Sequence, residues 1–416
     1  MRKIGAIIVV LFASVFPACS HMDSYTELCK TCPDADIRLQ SCTKVIESGQ
    51  VSGAYLAETY VRRGIINEGK MEYDPAVRDF NQAILLDPYI FEAFYHRGYL
   101  FEKKGDHEQA IRDFNQAIKL NPGYVYAYIS RGVAYRGKGE YDRAIQEFNK
   151  AIEMNPYIFE TFYSRGFTYE MMGQHDKALE DFDQAVGLDT NNLIVHYNRG
   201  NEYYRMGDFD WAVRDYDKAI KLNPAYANTY NNRGNAYRSM GQYERAIQDY
   251  DQAIQLNPNN SIQFRNRGAA RFFLGQYPAA EQDFAVARSL NPNDPYGVIW
   301  EYLAQTRAHL GASIALSDNA GHPNPTVWPG QVISLFKGTI TKEGLLSSAQ
   351  SKDPVKNREQ HCEAYFYLGE QALRQGKTDE ARSLFKQAEE TGVVNFIEYS
   401  GAQVELKQLT QKLTQK

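Results

Sequence analysis

Arg63, Arg97, Arg131, Arg165, Arg199, Arg233 and Arg267 recur every 34 residues, and an acidic series of the same period runs beside them: Asp79, Asp113, Glu147, Asp181, Asp215, Asp249 and Asp283. A row of guanidinium groups on one face would make an anion-binding ladder. The competing reading is a row of ion pairs between neighbouring helices, for which arginine's planar fork is suited. The shared period favours the ion pairs, because each carboxylate can neutralise its own arginine. Other groupings with chemical potential are thinner. His96, His107, His175 and His196 are scattered without paired ligand spacing. Glu359-Gln360-His361 lacks the second histidine that a zinc-binding helix needs one turn on. No Gly-x-Ser-x-Gly elbow and no phosphate-cradling glycine loop occurs. Cys29-Lys30-Thr31-Cys32 has metal or redox spacing, but no second Cys or His pair accompanies it. The sequence therefore predicts a protein that is not an enzyme, with no catalytic residue, no metal and no cofactor.

The elements that position these residues follow from the same beat. Gly64, Gly98, Gly132, Gly166, Gly200, Gly234 and Gly268 keep the period, as do Ala76 through Ala280 and the aromatics Phe80, Phe114, Phe148, Phe182, Tyr216, Tyr250 and Phe284. Prolines close the units at 88, 122, 156, 224, 258 and 292, with Thr190 as the single departure. In residues 125–158, Tyr128, Gly132 and Tyr135 fall on one face of a first helix, and Gly139 ends it. Asp142 opens a second helix whose buried side carries Ala144, Phe148 and Ala151 before Pro156 stops it. One such hairpin cannot bury its apolar face alone, so it must stack on neighbours.

The period and its Gly, aromatic, Ala, aromatic, Ala, Pro pattern resemble the tetratricopeptide repeat. That resemblance implies an all-α fold: a right-handed superhelical solenoid of helix–turn–helix repeats, here followed by a C-terminal helical module. It also implies that one stripe of each first helix lines a concave groove. The stripe carries Tyr95, Tyr99, Glu102, Tyr126, Arg136, Tyr163, Phe167, Glu170, Tyr197, Asn201, Tyr204, Asn235 and Arg238. Tyr and Arg are the side chains favoured at binding hot spots, so Tyr95, Tyr99, Tyr126, Arg136, Tyr163, Phe167, Tyr197, Asn201, Tyr204, Asn235 and Arg238 are the expected protein-binding residues. The alternative for some of these tyrosines is packing against the next repeat. A clamp for a terminal carboxylate is not met, since Tyr197 and Asn231 stand where lysine would be needed.

The two ends of the chain give the setting. Arg2 and Lys3, an apolar run from Ile4 to Phe16 and then Pro17-Ala18-Cys19 read as a signal peptide over residues 1–18. Its end resembles the lipobox of bacterial lipoproteins, which implies lipidation at Cys19 and a membrane anchor; simple secretory cleavage and an uncleaved anchor are the alternatives. Residues 19–56 form a cysteine-containing cap in which a disulfide between Cys29 and Cys42 is expected, with Cys32 the close rival. Seven repeats occupy 57–294, a helix and an irregular connection 295–361, and a last repeat-like unit with a capping helix 362–416. Across the part that follows the repeats, Trp328-Pro329, Cys362 to Gly369, Phe396-Ile397-Glu398-Tyr399 and Glu405-Leu406 resemble the C-terminal module of NlpI-type envelope lipoproteins. The resemblance implies an adaptor facing the periplasm, on the outer membrane rather than the inner, with a periplasmic protease or peptidoglycan hydrolase as partner. An assembly or secretion scaffold is the alternative of the same class, and an enzyme with a site in 311–361 the alternative of another. A net charge of −5 without a basic stripe argues against nucleic acid. Homo-oligomers are compatible with the sequence.

Overall fold

The computed structural model describes residues 24–308, 324 and 326–414. The expected signal peptide, Cys19 and residues 309–323 lie outside them. Among the described residues there are 22 helices and no strand, an all-α helical-repeat fold. They fall into two compact units, one ending at Leu188 and the other beginning at Asp189.

Unit 1 opens with α1 (Tyr25–Thr31) and α2 (Ala35–Glu47). Asp34 caps α2, its Oδ1 accepting from the N–H groups of Asp36 and Ile37 at 2.9 Å. Cys29 on α1 is bonded to Cys42 on α2, with Cα atoms 4.8 Å apart, and Cys42 is fully buried. Four hairpins follow: α3 (Gly53–Gly69) with α4 (Tyr73–Leu86), α5 (Phe91–Lys103) with α6 (His107–Leu120), α7 (Val125–Gly137) with α8 (Tyr141–Met154), and α9 (Phe159–Met171) with α10 (His175–Leu188). The first repeat helix thus starts at Gly53, a turn earlier than the expected boundary at 57. That extra turn brings Tyr55 under Lys30 of the cap, with the ammonium 5.2 Å from the ring centre.

The α7–α8 hairpin shows why this sequence packs as it does. Ala144, Phe148 and Ala151 are all fully buried along one side of α8. A Cβ at Gly132 would stand 2.7 Å from the Phe148 ring, so only glycine lets the two helices close over that ring. Burying such a side chain is worth roughly 1.5–3 kcal/mol. Gly139, at φ +76°, turns the chain between the helices in a conformation other residues resist.

Unit 2 holds three further hairpins: α11 (Leu193–Met206) with α12 (Phe209–Leu222), α13 (Ala227–Ser239) with α14 (Tyr243–Leu256), and α15 (Ser261–Phe273) with α16 (Tyr277–Leu290). Then come α17 (Pro295–Arg307), the short α18 (Gly330–Phe336) and α19 (Lys342–Ser348), the hairpin of α20 (Pro354–Arg374) with α21 (Thr378–Glu390), and α22 (Ile397–Thr414). Trp300 on α17 is fully buried at the centre of this part, 5.5 Å from the Phe272 ring, 5.9 Å from Phe284 and 5.6 Å from Phe366. The expected boundary between 361 and 362 falls inside α20. The helix begins earlier because Asp353 caps it, accepting from the N–H of Val355 at 2.9 Å, and Pro354 is preset for a first helical turn.

The arginine series forms ion pairs inside the hairpins. Arg97 meets Asp113 through two hydrogen bonds of 2.7 Å, Arg165 meets Asp181 at 2.8 and 2.7 Å, and Arg233 meets Asp249 at 2.8 and 2.6 Å. Arg63, Arg131, Arg199 and Arg267 repeat the contact with Asp79, Glu147, Asp215 and Asp283. A third N–H reaches back to the second helix of the preceding repeat: Arg97 to Asn81, Arg131 to Asn115, Arg165 to Asn149, Arg233 to Asp217 and Arg267 to Asp251. Each of these five arginines therefore ties three helices together.

Candidate protein-docking face

In unit 1 the first helices α3, α5, α7 and α9 lie against one another in sequence, whereas the second helices stand further apart. The first helices accordingly line the inner side of that stack. Tyr95 and Tyr99 on α5, Tyr126 and Arg136 on α7, and Tyr163 and Phe167 on α9 come from three successive repeats. Tyr95 packs edge-on to Tyr124 at 4.9 Å, and Tyr124 leans on Tyr126 at 5.8 Å. Tyr126 is 45 % exposed. Tyr99 is partly buried between two repeat cores and carries Lys103 5.1 Å above its ring. Tyr163 stacks with Phe167 at 6.4 Å, and the Arg136 guanidinium lies 5.0 Å from the Phe167 ring centre. Burial pushes the Tyr95 and Tyr124 hydroxyls up, so both are neutral donors at ordinary pH. Tyr124 was not among the expected residues. Its sequence signal was an aromatic just before a first helix, a place shared by Tyr226, which stands edge-on to Tyr197 at 5.4 Å.

The same stripe in unit 2 is differently employed. Asn201 accepts from the Tyr216 hydroxyl at 2.8 Å and from Asn232 Nδ2 at 2.9 Å. Asn235 accepts from the Tyr250 hydroxyl at 2.8 Å, and Tyr197 accepts from Asn232 at 3.0 Å. These side chains bind neighbouring elements of their own unit. Tyr204 donates to the backbone carbonyl of Asn395 at 2.8 Å. Arg238, expected in an open groove, is only 2 % exposed. The reason is that residues 395–398, at the start of α22, cover this stretch and leave a cavity of about 290 Å³ bordered by Tyr204, Asn235, Arg238 and Glu398. For Arg238 the expectation of a face free for a partner is corrected; Tyr204 and Asn235 stay half-buried at the edge of the cavity.

Two clusters of buried carboxylates support the covering segment. Glu363 accepts from the Tyr296 hydroxyl at 3.0 Å and from the Trp328 indole at 2.9 Å; Glu398 accepts from Tyr367 at 2.6 Å. Burial raises both carboxyls, and the pair repel one another. Arg307 bridges Glu370 and Glu405 at 2.9 and 2.8 Å, beside a cavity of about 500 Å³ that includes Tyr302, Phe336 and Arg374. Burial lifts Glu370 to about 7 against the pull of Arg307, with Glu405 adding to the rise. Of the histidines, His96 meets Glu68 at 2.9 Å and His196 meets Asp215 at 2.9 Å. Among the described residues no group of three or more His, Cys, Asp or Glu side chains could hold a metal, and no helix is long and apolar enough to cross a membrane.

Tetratricopeptide-repeat family models match residues 95–157 and 147–180 in unit 1, and 200–238, 227–260 and 363–390 in unit 2. The chain is 35 % identical over 121 residues to a lipoprotein NlpI homolog of Haemophilus influenzae, an alignment covering 28 % of this chain and 38 % of that protein. It thus spans well under half the length of this curated relative. The solved structure of MamA aligns at 26 % identity and a TM-score of 0.37, covering 39 % of this chain and 94 % of that one. The APC/C hetero-tetramer Cut9–Hcn1 aligns at 18 % identity and a TM-score of 0.49, covering 65 % and 52 %.

Proposed function

We propose that this tetratricopeptide-repeat chain, which resembles NlpI-type lipoproteins, is a non-catalytic adaptor of the bacterial envelope that holds other proteins on the inner face of unit 1. The observation that carries the reading is the run of Tyr95, Tyr126, Arg136, Tyr163 and Phe167 over three successive first helices, with Tyr124 at the cap of the middle one. These helices pack against those of their own and adjacent repeats, and the aromatic rings give large contact area with few rotors to freeze. In this reading Cys19 carries the lipid, the body faces the periplasm from the outer membrane, and the partner is a periplasmic protease or a cell-wall hydrolase. The likeness to the lipoprotein NlpI homolog supports the envelope setting.

Tyr95→Ala, Tyr163→Ala and the double variant test this. Each should weaken capture of a named envelope protein by about thirtyfold, a hot-spot loss of ~2 kcal/mol, while the melting temperature stays near that of the parent. Unchanged capture by the folded double variant would move the docking surface away from unit 1.

A further inference from the structure

Arg136, Tyr204 and Arg238 occupy one and the same place in their repeats, separated by 68 and then 34 residues. In unit 2 that place is already engaged by the chain itself. Tyr204 holds the Asn395 carbonyl at 2.8 Å, and Arg238 borders the cavity formed with Phe396, Ile397 and Glu398. Arg238 and Glu398 line this cavity together. Glu398 accepts from the Tyr367 hydroxyl, and Arg238 Nε and Nη1 reach no hydrogen-bond partner among the described residues, so the attraction between the two charges acts across the cavity and not through a direct contact. The occupant of this place thus offers a backbone carbonyl, an aromatic ring and a carboxylate within the run Asn395-Phe396-Ile397-Glu398.

Arg136 presents the same side chain in unit 1, with no such occupant among the described residues. Its Nη1 donates to the Ser164 carbonyl at 3.1 Å and its guanidinium faces Phe167, but it makes no ion pair among the described residues. Each arginine of the 34-residue ladder, by contrast, holds a carboxylate. Burial pulls the Arg136 guanidinium below its ordinary value, with Tyr163 and Glu102 acting the other way. Glu102, one repeat earlier, is itself 4.0 Å from His107.

Resting on the docking reading above, we propose that Arg136 receives the side-chain carboxylate of a partner protein's segment in which an aromatic residue lies beside a single acidic one, like Phe396 beside Glu398. The aromatic ring is taken by the Tyr163–Phe167 surface, and the acid meets the free N–H groups of Arg136. The nearby Glu102 carboxylate repels a second acid, so a run of acidic residues fits worse than one.

The test uses the full chain and three short fluorescent peptides: one with a single Phe-Ile-Glu unit, the same with Gln for Glu, and an oligoglutamate. Anisotropy should show that the first binds, that Arg136→Gln weakens it about tenfold to a hundredfold, and that the glutamine peptide loses a similar factor on the parent chain. The two losses should not add. Because the glutamine peptide is read on the unaltered protein, a folding defect in Arg136→Gln cannot produce the result. Absence of binding by the first peptide, equal binding of the glutamine peptide, or oligoglutamate binding as well as the first peptide would overturn the assignment. If Tyr163→Ala abolishes capture of the envelope partner while Arg136→Gln leaves it intact, the acid-reading role falls and the docking face stands. Loss of neither removes both.

Discussion

Arg165→Ala would leave the Asp181 carboxylate, whose side chain is 4 % exposed, without its two charged hydrogen bonds. Burial already holds this carboxyl above its ordinary 3.8 despite Arg165. Without the arginine it must either remain charged in a dry site or take a proton. At pH 7, protonating a group of ordinary pKa 3.8 costs about 4.4 kcal/mol at ~1.36 kcal/mol per unit, which caps the loss. That cap agrees with the roughly 3–5 kcal/mol seen when one partner of a buried pair is removed. At pH 5 the cap falls to about 1.6 kcal/mol. The folded-state pKa is raised, so the proton's contribution is complete below 3.8 and is lost as pH rises. The variant should therefore be destabilised more at pH 7 than at pH 5, by up to about 2.7 kcal/mol. Urea titrations at the two pH values, read together with hydrogen exchange in α9 and α10, measure the difference. Replacing both partners, as Arg165→Met with Asp181→Leu, should recover much of the loss. A cost below about 0.5 kcal/mol at pH 7, or one equal at both pH values, would refute the reasoning.

Glu370→Gln should flatten the pH dependence of unit 2. One arginine, Arg307, serves two carboxylates there, and burial lifts Glu370 to about 7, so its folded-state proton supports stability below about 4.5 and that support fades as pH rises through about 7. Thermal melts at pH 5 and pH 8 should differ less in the variant than in the parent. Cys19→Ser should abolish labelling of the chain by a fatty-acid analogue in cells; equal labelling of parent and variant would remove the lipid anchor.

Much of this molecule could be read from its periodicity, because each hairpin is determined by contacts between residues close in sequence. Phe148 seals against Gly132 and Arg131 against Glu147, each pair 16 residues apart, so one 34-residue beat contains the whole device. Even the division into units falls beside Thr190, where the proline series breaks. What periodicity could not give is the occupant of the unit-2 stripe. Tyr204 and Asn395 are 191 residues apart, and nothing local in Arg238 distinguishes it from Arg136 at the same repeat position. Burial there is decided by a distant segment. The early start of α20 is a different case. Asp353 and Pro354 announce it, but the irregular stretch before them, with its own prolines, masks the signal.

The three-way arginine tie has a consequence for how this chain could change over generations. Five of these guanidinium groups, those of Arg97, Arg131, Arg165, Arg233 and Arg267, take partners 16 residues ahead and 16 behind, and the unit is 34 residues long. Excise residues 125–158 and Arg165, which had gripped Asn149, finds Asn115 delivered to the identical spot. Within the arginine ladder no charge is orphaned, although outside it Glu108 loses Lys138, and insertion of a duplicate unit leaves the ladder equally intact. Gain or loss of whole units can therefore lengthen or shorten the array in steps, varying the reach of the inner face without dismantling what joins one step to the next.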